Sequence, residues 1–201
     1  MPDRATLKAF AKERLAGNWG NAILCAVIAL VLGGIQFYVE QHFDSSGQII
    51  GCNFVLSFFF IGITWTFLGL ARQGSINLST VIEPFGCIGK TFLVYALVYI
   101  ITWAGFLLLI VPGIIFSLGF SQSYFILRDH PELSASDILR ESWRLMRGHK
   151  GEYFVLLLSF FGWLILSGIT FGIVGLYVIP YMETTLAAYY DSLVGSHNEI
   201  M

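Results

Sequence analysis

The stretch TFLVYALVYIITWAGFLLLIVPGIIFSLGFSQSYFIL, residues 91–127, decides the fold, because it carries no charge and is too long for one membrane crossing. A transmembrane helix needs roughly 20 apolar residues, at about 1.5 Å of rise each. Pro112-Gly113 is the natural interruption, since proline lacks an amide donor and glycine tolerates a turn. The stretch therefore predicts two crossings joined by a turn near residues 111–113.

The other apolar tracts predict four more crossings. Residues 19–39 and 51–71 are each long enough for one crossing. Residues 151–190 again exceed one crossing, and the candidate break points are the glycines Gly168, Gly172 and Gly175. The predicted fold is all-α, a polytopic membrane protein with six transmembrane helices in three hairpins.

These tracts make up one membrane domain. Its predicted parts are an amphipathic N-terminal helix (1–17), hairpin 1 (19–71), a cytoplasmic connection (72–89), hairpin 2 (90–128), a cytoplasmic amphipathic helix (129–150), hairpin 3 (152–192) and a cytoplasmic tail (193–201).

The composition agrees with a membrane protein. The chain is 56% hydrophobic and 12% charged, with a mean hydropathy of +0.74, whereas soluble domains carry roughly a quarter charged residues. The polar, basic N-terminus predicts no cleavable signal peptide. The three cysteines, Cys25, Cys52 and Cys87, are far apart and odd in number. They predict neither a disulfide framework nor a metal site, and we expect no cofactor.

The cations predict the orientation. All eleven Lys and Arg residues stand in short blocks, and the stretches 15–71, 91–127 and 151–201 contain none. Six crossings place both termini and every cation on one side, and cations are retained on the cytoplasmic side. We therefore expect a multi-pass cell-membrane protein with cytoplasmic N- and C-termini. A five-crossing alternative would put the block at 128–150 opposite the N-terminal block, and it is rejected for that reason.

A glycine pattern precedes each hairpin. Three Gly-x-x-Gly tetrapeptides stand directly before the membrane tracts, formed by Gly17 and Gly20, by Gly86 and Gly89, and by Gly148 and Gly151. Glycine ends helices because it adopts the left-handed conformation readily. Each unit is predicted to be a short helix, a glycine joint and a hairpin, although a chain with 21 glycines also gives such matches by chance.

Two of the short helices are amphipathic and basic. In the first, Leu7, Phe10, Ala11 and Leu15 oppose Arg4, Lys8 and Lys12. In the last, a capping box of Ser134 and Asp137 begins the helix, and Leu139, Trp143 and Met146 oppose Arg140, Arg144 and Arg147. The middle helix, Leu78–Phe85, is short and contains Pro84.

The basic helices have two interpretations. They lie on the inner leaflet, with Phe10 and Trp143 dipping inward and cations meeting anionic headgroups or a membrane or cytosolic protein partner. Alternatively, they only anchor the topology. The candidate contact residues are Arg140, Arg144, Arg147, His149, Lys150, Arg4, Lys8 and Lys12.

Glu183 is the candidate intramembrane polar residue, about three turns into the sixth crossing. A charge there is costly and should face protein or water, and Pro180 opens the backbone nearby. The candidate site comprises Glu183, Thr184, Thr185, Tyr181, Ser121, Gln122 and Ser123. Its two interpretations are a hydrophilic or proton-linked site, and a hydrogen-bonded group that only orients helices.

The sequence contains no recognisable catalytic motif. It has no His-Glu-x-x-His, no intramembrane Ser/His or Asp/Asp pairing, and no phosphate-binding Gly-rich loop. We expect a protein without catalytic activity and without a nucleic-acid partner.

The chain resembles a family of bacterial integral membrane proteins, domain of unknown function (DUF) 975. The resemblance is carried by LLLIVPGII (107–115), SQSYFILRD (121–129), SWRLMRGHK (142–150), Pro180-Tyr181 and Tyr189-Tyr190, with support from the N-terminal segment through Trp19. Arg147 replaces the lysine common there, and Glu183 replaces an expected neutral polar residue. The resemblance implies a bacterial inner membrane location and, by analogy with modules that accompany glycerophosphodiester-cleaving domains, a lipid-facing role.

Three hypotheses for function follow. The leading one is a non-catalytic membrane protein that interacts with lipids or assists envelope assembly. The second is a small-molecule or proton-linked transporter component that uses Glu183 and the interruptions at Pro112 and Pro180. The third is a structural interaction module.

Overall fold

The computed structural model describes residues 3–42 and 46–198, and all regular structure in those ranges is helical. Residues 43–45 of the predicted outer connection and residues 199–201 of the predicted tail lie outside the described residues. The all-α prediction is confirmed. The elements are α1 (Arg4–Leu15), α2 (Trp19–His42), α3 (Ser46–Gln73), a 3₁₀ helix (Leu78–Cys87), α4 (Ile88–Leu108), α5 (Ile110–Gly119), α6 (Ser123–Asp129), α7 (Ala135–Leu145), α8 (Lys150–Ile169) and α9 (Gly175–Asn198).

Five helical segments of the described chain are long and apolar enough to cross a membrane: Trp19–His42, Gly51–Gln73, Leu78–Leu108, Ile110–Asp129 and Lys150–Ile169. The predicted sixth crossing, α9, is 24 residues long but is not among them. Glu183, Asp191 and several Thr and Tyr residues dilute its apolar character. Helix α9 also continues to Asn198, through the first part of the predicted tail.

The long tract at 91–127 is interrupted at Leu109, not at Pro112-Gly113. Leu109 is extended, with φ −168° and ψ 155°, and separates α4 from α5. Pro112 lies in the first turn of α5, where a helix does not use the missing amide hydrogen. The two helices pack so closely that a Cβ added to Gly105 would lie 3.0 Å from the Cα of Gly113. The predicted turn at 111–113 is therefore wrong by a few residues.

The tract at 151–190 breaks among the predicted glycines. Helix α8 ends at Ile169, and Phe171 (φ 52°) and Gly172 (φ 88°) take left-handed conformations in the connection. Gly168 lies in the last turn of α8 and Gly175 begins α9.

The stretch at 72–89 is not a simple cytoplasmic connection. The 3₁₀ helix, which contains Pro84, runs back along α3. The Phe85 ring contacts those of Phe58 and Phe59, with centroids 5.2 and 5.0 Å away. A Cβ on Gly62 would overlap the backbone of Val81, so this contact requires glycine. One face of the 3₁₀ helix, formed by Thr80, Val81 and Pro84, is thus buried, and the membrane-length segment begins at Leu78.

Two of the three predicted glycine joints share one geometry. Gly17 (φ 87°) follows α1 and Gly148 (φ 85°) follows α7, both left-handed. Gly86 and Gly89 have no positive φ, because the 3₁₀ helix passes directly into α4 through a helical residue, Ile88. Gly20 and Gly151 lie in the first turns of α2 and α8. The geometry of the joint is thus repeated twice, not three times.

An ion-pair network centred on Arg72 joins α3, α6 and α9. Its Nη1 and Nη2 atoms donate to Oδ1 and Oδ2 of Asp129, each at 2.7 Å. Its Nε donates to Oδ1 of Asp191 at 2.9 Å. The Tyr190 hydroxyl donates to Oδ2 of Asp129 at 2.8 Å. Bidentate arginine–carboxylate pairs of this kind are among the strongest hydrogen-bonded contacts in proteins.

We predict that Arg72→Leu destabilises the fold by about 1–3 kcal/mol, between the values for a surface pair and a buried pair, because it leaves two carboxylates without a cation. The three side chains are only 19–37% exposed. The measurement is the midpoint of unfolding in detergent. The matched control is Arg140→Leu, whose side chain is 82% exposed and lies 3.7 Å from its partner Asp137. Equal stability of the two variants would contradict the prediction.

Candidate functional site

Glu183 lies in the third turn of α9 and faces α3. The Thr64 hydroxyl donates to Oε2 of Glu183 at 3.2 Å. Protein atoms enclose the carboxyl group, while the side chain as a whole keeps intermediate exposure. Among the described residues Glu183 forms no ion pair. A single hydroxyl is thus the direct partner of an acid inside the bundle.

The predicted polar residues of the fourth crossing lie near this acid. The side chain of Tyr153 of α8 lies close to those of Ser121, Gln122 and Glu183. Gln122 is fully buried, and its Nε2 donates to the Ser121 hydroxyl at 2.8 Å. Oε1 of Gln122 and the buried hydroxyl of Ser123 have no hydrogen-bond partner. We call Glu183, Thr64, Tyr153, Ser121 and Gln122 the polar cluster.

The cluster lies at a break in the fourth crossing. Residues 120–122 form a turn between α5 and α6, so the segment Ile110–Asp129 is interrupted inside its own length. Non-helical backbone at membrane depth is tolerated where it faces protein or a water-filled cavity. The turn and Glu183 therefore place polar groups in the same part of the bundle.

Other predicted site residues do not join the cluster. The hydroxyls of Thr184 and Thr185 donate to backbone carbonyls of their own helix, at Pro180 (2.8 Å) and Tyr181 (2.6 Å). The Tyr181 ring instead packs edge-on against Phe160, with centroids 5.4 Å apart. The Pro180 carbonyl thus accepts a hydrogen bond from its own helix, and the Tyr181 ring belongs to the core.

A cavity of about 900 Å³ lies between α2, α3, α4 and α6, and we call it the groove. Its aromatic lining includes Phe54, Phe92, Tyr95, Tyr99, Trp103 and Tyr124, and its polar lining is Gln36, Glu40, Asn53, Ser57 and Thr64. The groove extends along α3 from Gly51 to Thr64, about 20 Å at the helical rise. Thr64 lies in the groove and also donates to Glu183, so the groove reaches the polar cluster.

The groove was not predicted from the sequence. Its lining comes from four helices, and seven of its sixteen residues are aromatic, which inside an apolar tract looks like ordinary lipid-facing or core sequence. One signal was present. Tyr95, Tyr99 and Trp103 recur every fourth residue and form a ladder, with neighbouring centroids 6.0 and 5.9 Å apart.

The amphipathic helix α7 packs on protein. Ile138, Leu139 and Leu145 are buried. The Trp143 ring packs against those of Phe116 and Phe120, at 5.8 and 5.4 Å. Trp143, which one of the two interpretations places in lipid, is thus half-buried against α5 and the residue that follows it.

The cations of this region face outward or pair locally. Arg140, Arg144 and Arg147 are exposed, and Arg144 pairs with Glu141 at 2.7 Å. Lys150 Nζ lies 3.0 Å from the centroid of the Trp143 ring. His149 Nδ1 lies 3.5 Å from the Glu152 carboxylate. Three arginines thus remain accessible on one surface.

Helix α1 also docks on protein. Leu7, Ala11 and Leu15 are buried, and Phe10, which one of the two interpretations places in lipid, packs partly buried against the core. Beside them, Lys8 and Lys12 lie over the rings of Phe160 and Tyr181, at 4.4 and 5.6 Å. Burial lowers the pKa of Lys8, and the charges of Arg4 and Lys12 act in the same direction.

Five membrane-length apolar helices and a polar cluster within the bundle are features of a multi-span membrane protein. The chain belongs to the family described as Protein of unknown function (DUF975), whose profile matches residues 97–197, half of the chain. The match includes all of α5 to α8, most of α4 and most of α9. It therefore includes every residue of the polar cluster except Thr64. No curated protein and no solved structure matches the chain.

We predict that Thr64 and Glu183 are energetically coupled. Thr64→Val should lower stability, because it removes the direct donor to Glu183. Glu183→Gln should be nearly neutral, because an amide oxygen accepts the same bond. A double-mutant cycle of unfolding free energies in detergent, built from Thr64→Val and Glu183→Leu because leucine cannot accept the bond, should give a coupling of about 0.6–1.7 kcal/mol. A cycle that closes at zero would show that the contact contributes nothing.

Proposed function

We propose that this protein is a non-catalytic membrane protein that binds an amphiphilic molecule from the bilayer in the groove. The observation that supports this most is the groove itself, about 900 Å³ with an aromatic lining and a polar edge. Its volume lies in the range of about 300–1,000 Å³ typical of small-molecule sites. We further propose a cell-membrane location with cytoplasmic termini, from the distribution of cations.

The exposure of the lining favours a ligand that arrives from the side. Phe92, Tyr99 and Trp103 are 45%, 50% and 58% exposed, so the groove is open along α4. Aromatic side chains with a polar tip favour positions where one end is apolar and the other wet. Such a lining is suited to a molecule with an apolar body and a polar head.

The exposed arginines of α7 support a second lipid contact. Arg140 and Arg144 are exposed on one face of α7, and Arg147 is exposed just beyond its end. Cations at a membrane surface attract anionic headgroups. Glu141 and Asp137 partly neutralise this face, so we assign it attraction to the membrane surface and not a specific site.

We predict that filling the groove removes a bound amphiphile. Ala96→Trp and Ser57→Trp place a large side chain in the lining. Native mass spectrometry of protein purified in a mild detergent should show an adduct on the wild type and not on either variant.

The matched control is Leu158→Trp on α8, a side chain 54% exposed and away from the groove. This variant should retain the adduct. Equal adduct occupancy in the wild type and both groove variants would overturn the proposal.

A proton-linked transport role is the second candidate, and one observation favours it. Thr64 belongs both to the groove and to the polar cluster, so a molecule in the groove lies one hydroxyl away from an ionisable group. Intramembrane acids of this kind occur along proton and substrate pathways.

We predict, on this second candidate, that Glu183→Gln abolishes proton entry into proteoliposomes. Entry is followed by an entrapped pH-sensitive dye after a membrane potential is imposed. Wild-type vesicles should acidify faster than empty ones, and the variant should match empty vesicles. Glu132→Gln, on the exposed α6–α7 connection, should behave as wild type. If wild-type and empty vesicles acidify equally, transport of protons is excluded under these conditions.

A further inference from the structure

We propose that the groove selects a cationic amphiphile, an organic cation with an apolar body. This inference rests on the proposed binding role and adds the charge of the ligand to it. It is carried by the charged, polar and aromatic groups of the lining.

The lining offers negative charge and hydrogen-bond acceptors without a cation. Glu40 stands at one end of the groove, on the last turns of α2, and its carboxylate accepts a long hydrogen bond of 3.4 Å from Gln36. Oδ1 of Asn53 is buried in the same region and accepts no hydrogen bond. None of the described lining residues is Lys, Arg or His. An anionic head would meet an uncompensated carboxylate here, whereas a cationic head would be paired.

The aromatic rings add a second attraction for a positive charge. Phe54 stands edge-on to Phe92, with centroids 4.9 Å apart, and next to Tyr95 at 6.1 Å. Tyr99 and Trp103 continue the ladder. Cations are attracted to the faces of such rings, most strongly where water is excluded. The ladder therefore provides favourable positions along the length of the groove for an apolar cation.

The far end of the groove lies next to a second carboxyl group. Thr64 is hydrogen-bonded to Glu183, and no cation of the described chain pairs with that carboxyl group. By contrast, Asp129 and Asp191 are both paired with Arg72. Among the described residues, the acid near each end of the groove thus has no ion-pair partner.

The test compares two probes of the same shape and opposite charge. Binding of tetraphenylphosphonium and of tetraphenylborate to the detergent-solubilised full chain is measured by equilibrium dialysis, with protein-free micelles subtracted. The cation should bind, and Glu40→Gln should weaken its binding by roughly two- to fivefold, as loss of one exposed charge partner implies. Added salt should weaken it too, since Glu40 is exposed. Glu132→Gln should bind as wild type.

The outcomes separate this inference from the proposed function. If tetraphenylborate binds as well as the cation, or Glu40→Gln has no effect, the charge preference is wrong, even when Ala96→Trp still removes the native adduct. If Ala96→Trp changes neither the adduct nor the cation binding, the binding role itself fails. The adduct mass gives the source: an amine-headed membrane lipid displaced by the probe, or a free organic cation. An anionic lipid as the adduct would overturn the inference.

Discussion

The Arg72 network sets the arrangement on which the polar cluster depends. Helix α6 has seven residues, too few to be stable alone, and Asp129 at its end is held by Arg72 in a bidentate pair. Trp65 Nε1 donates to the Tyr124 carbonyl at 2.7 Å, and Arg128 donates to the Trp65 carbonyl. These bonds fix α6 along α3, and α9 is fixed by Asp191. The turn at 120–122 and Glu183 are thereby brought to the same level of the bundle.

The tract at 91–127 shows how much of the fold its composition determines. An uncharged run of that length must be interrupted, and it is, at Leu109. The turn was predicted at Pro112 because proline often interrupts a helix. Proline is equally suited to the first turn of a helix, which is where Pro112 lies. The second interruption, at 120–122, has no breaker residue. There Ser142 donates to the Gly119 carbonyl at 2.9 Å, and Trp143 packs where a Cβ on Gly119 would lie. That interruption depends on α7, and a local pattern cannot reveal it.

The amphipathic helices show a second limit of prediction from the sequence. Periodicity predicts an apolar face on α1 and on α7, because a 3.6-residue repeat depends only on the chain itself. Of the residues assigned to those faces, Leu7, Ala11, Leu15, Leu139 and Met146 are buried. Periodicity did not predict what covers those faces. Leu15 and Ile138 are fully buried in the bundle, whereas lipid would satisfy the same side chains equally well. The groove could not be predicted for the same reason, because aromatic residues on four helices form a site only through the packing of those helices.

Two acids on α9 have opposite surroundings. Asp191 pairs with Arg72 at 2.8 Å, at the end of α3 where a charge is easily matched. Glu183, two turns earlier, has one hydroxyl from Thr64 and lies near the side chain of Tyr153. An acid that only oriented helices would gain most from a full set of partners. Nearby, Oε1 of Gln122 also has no partner. Such incomplete pairing, next to a groove that reaches Thr64, is the arrangement expected where a mobile ligand or proton supplies the missing partner.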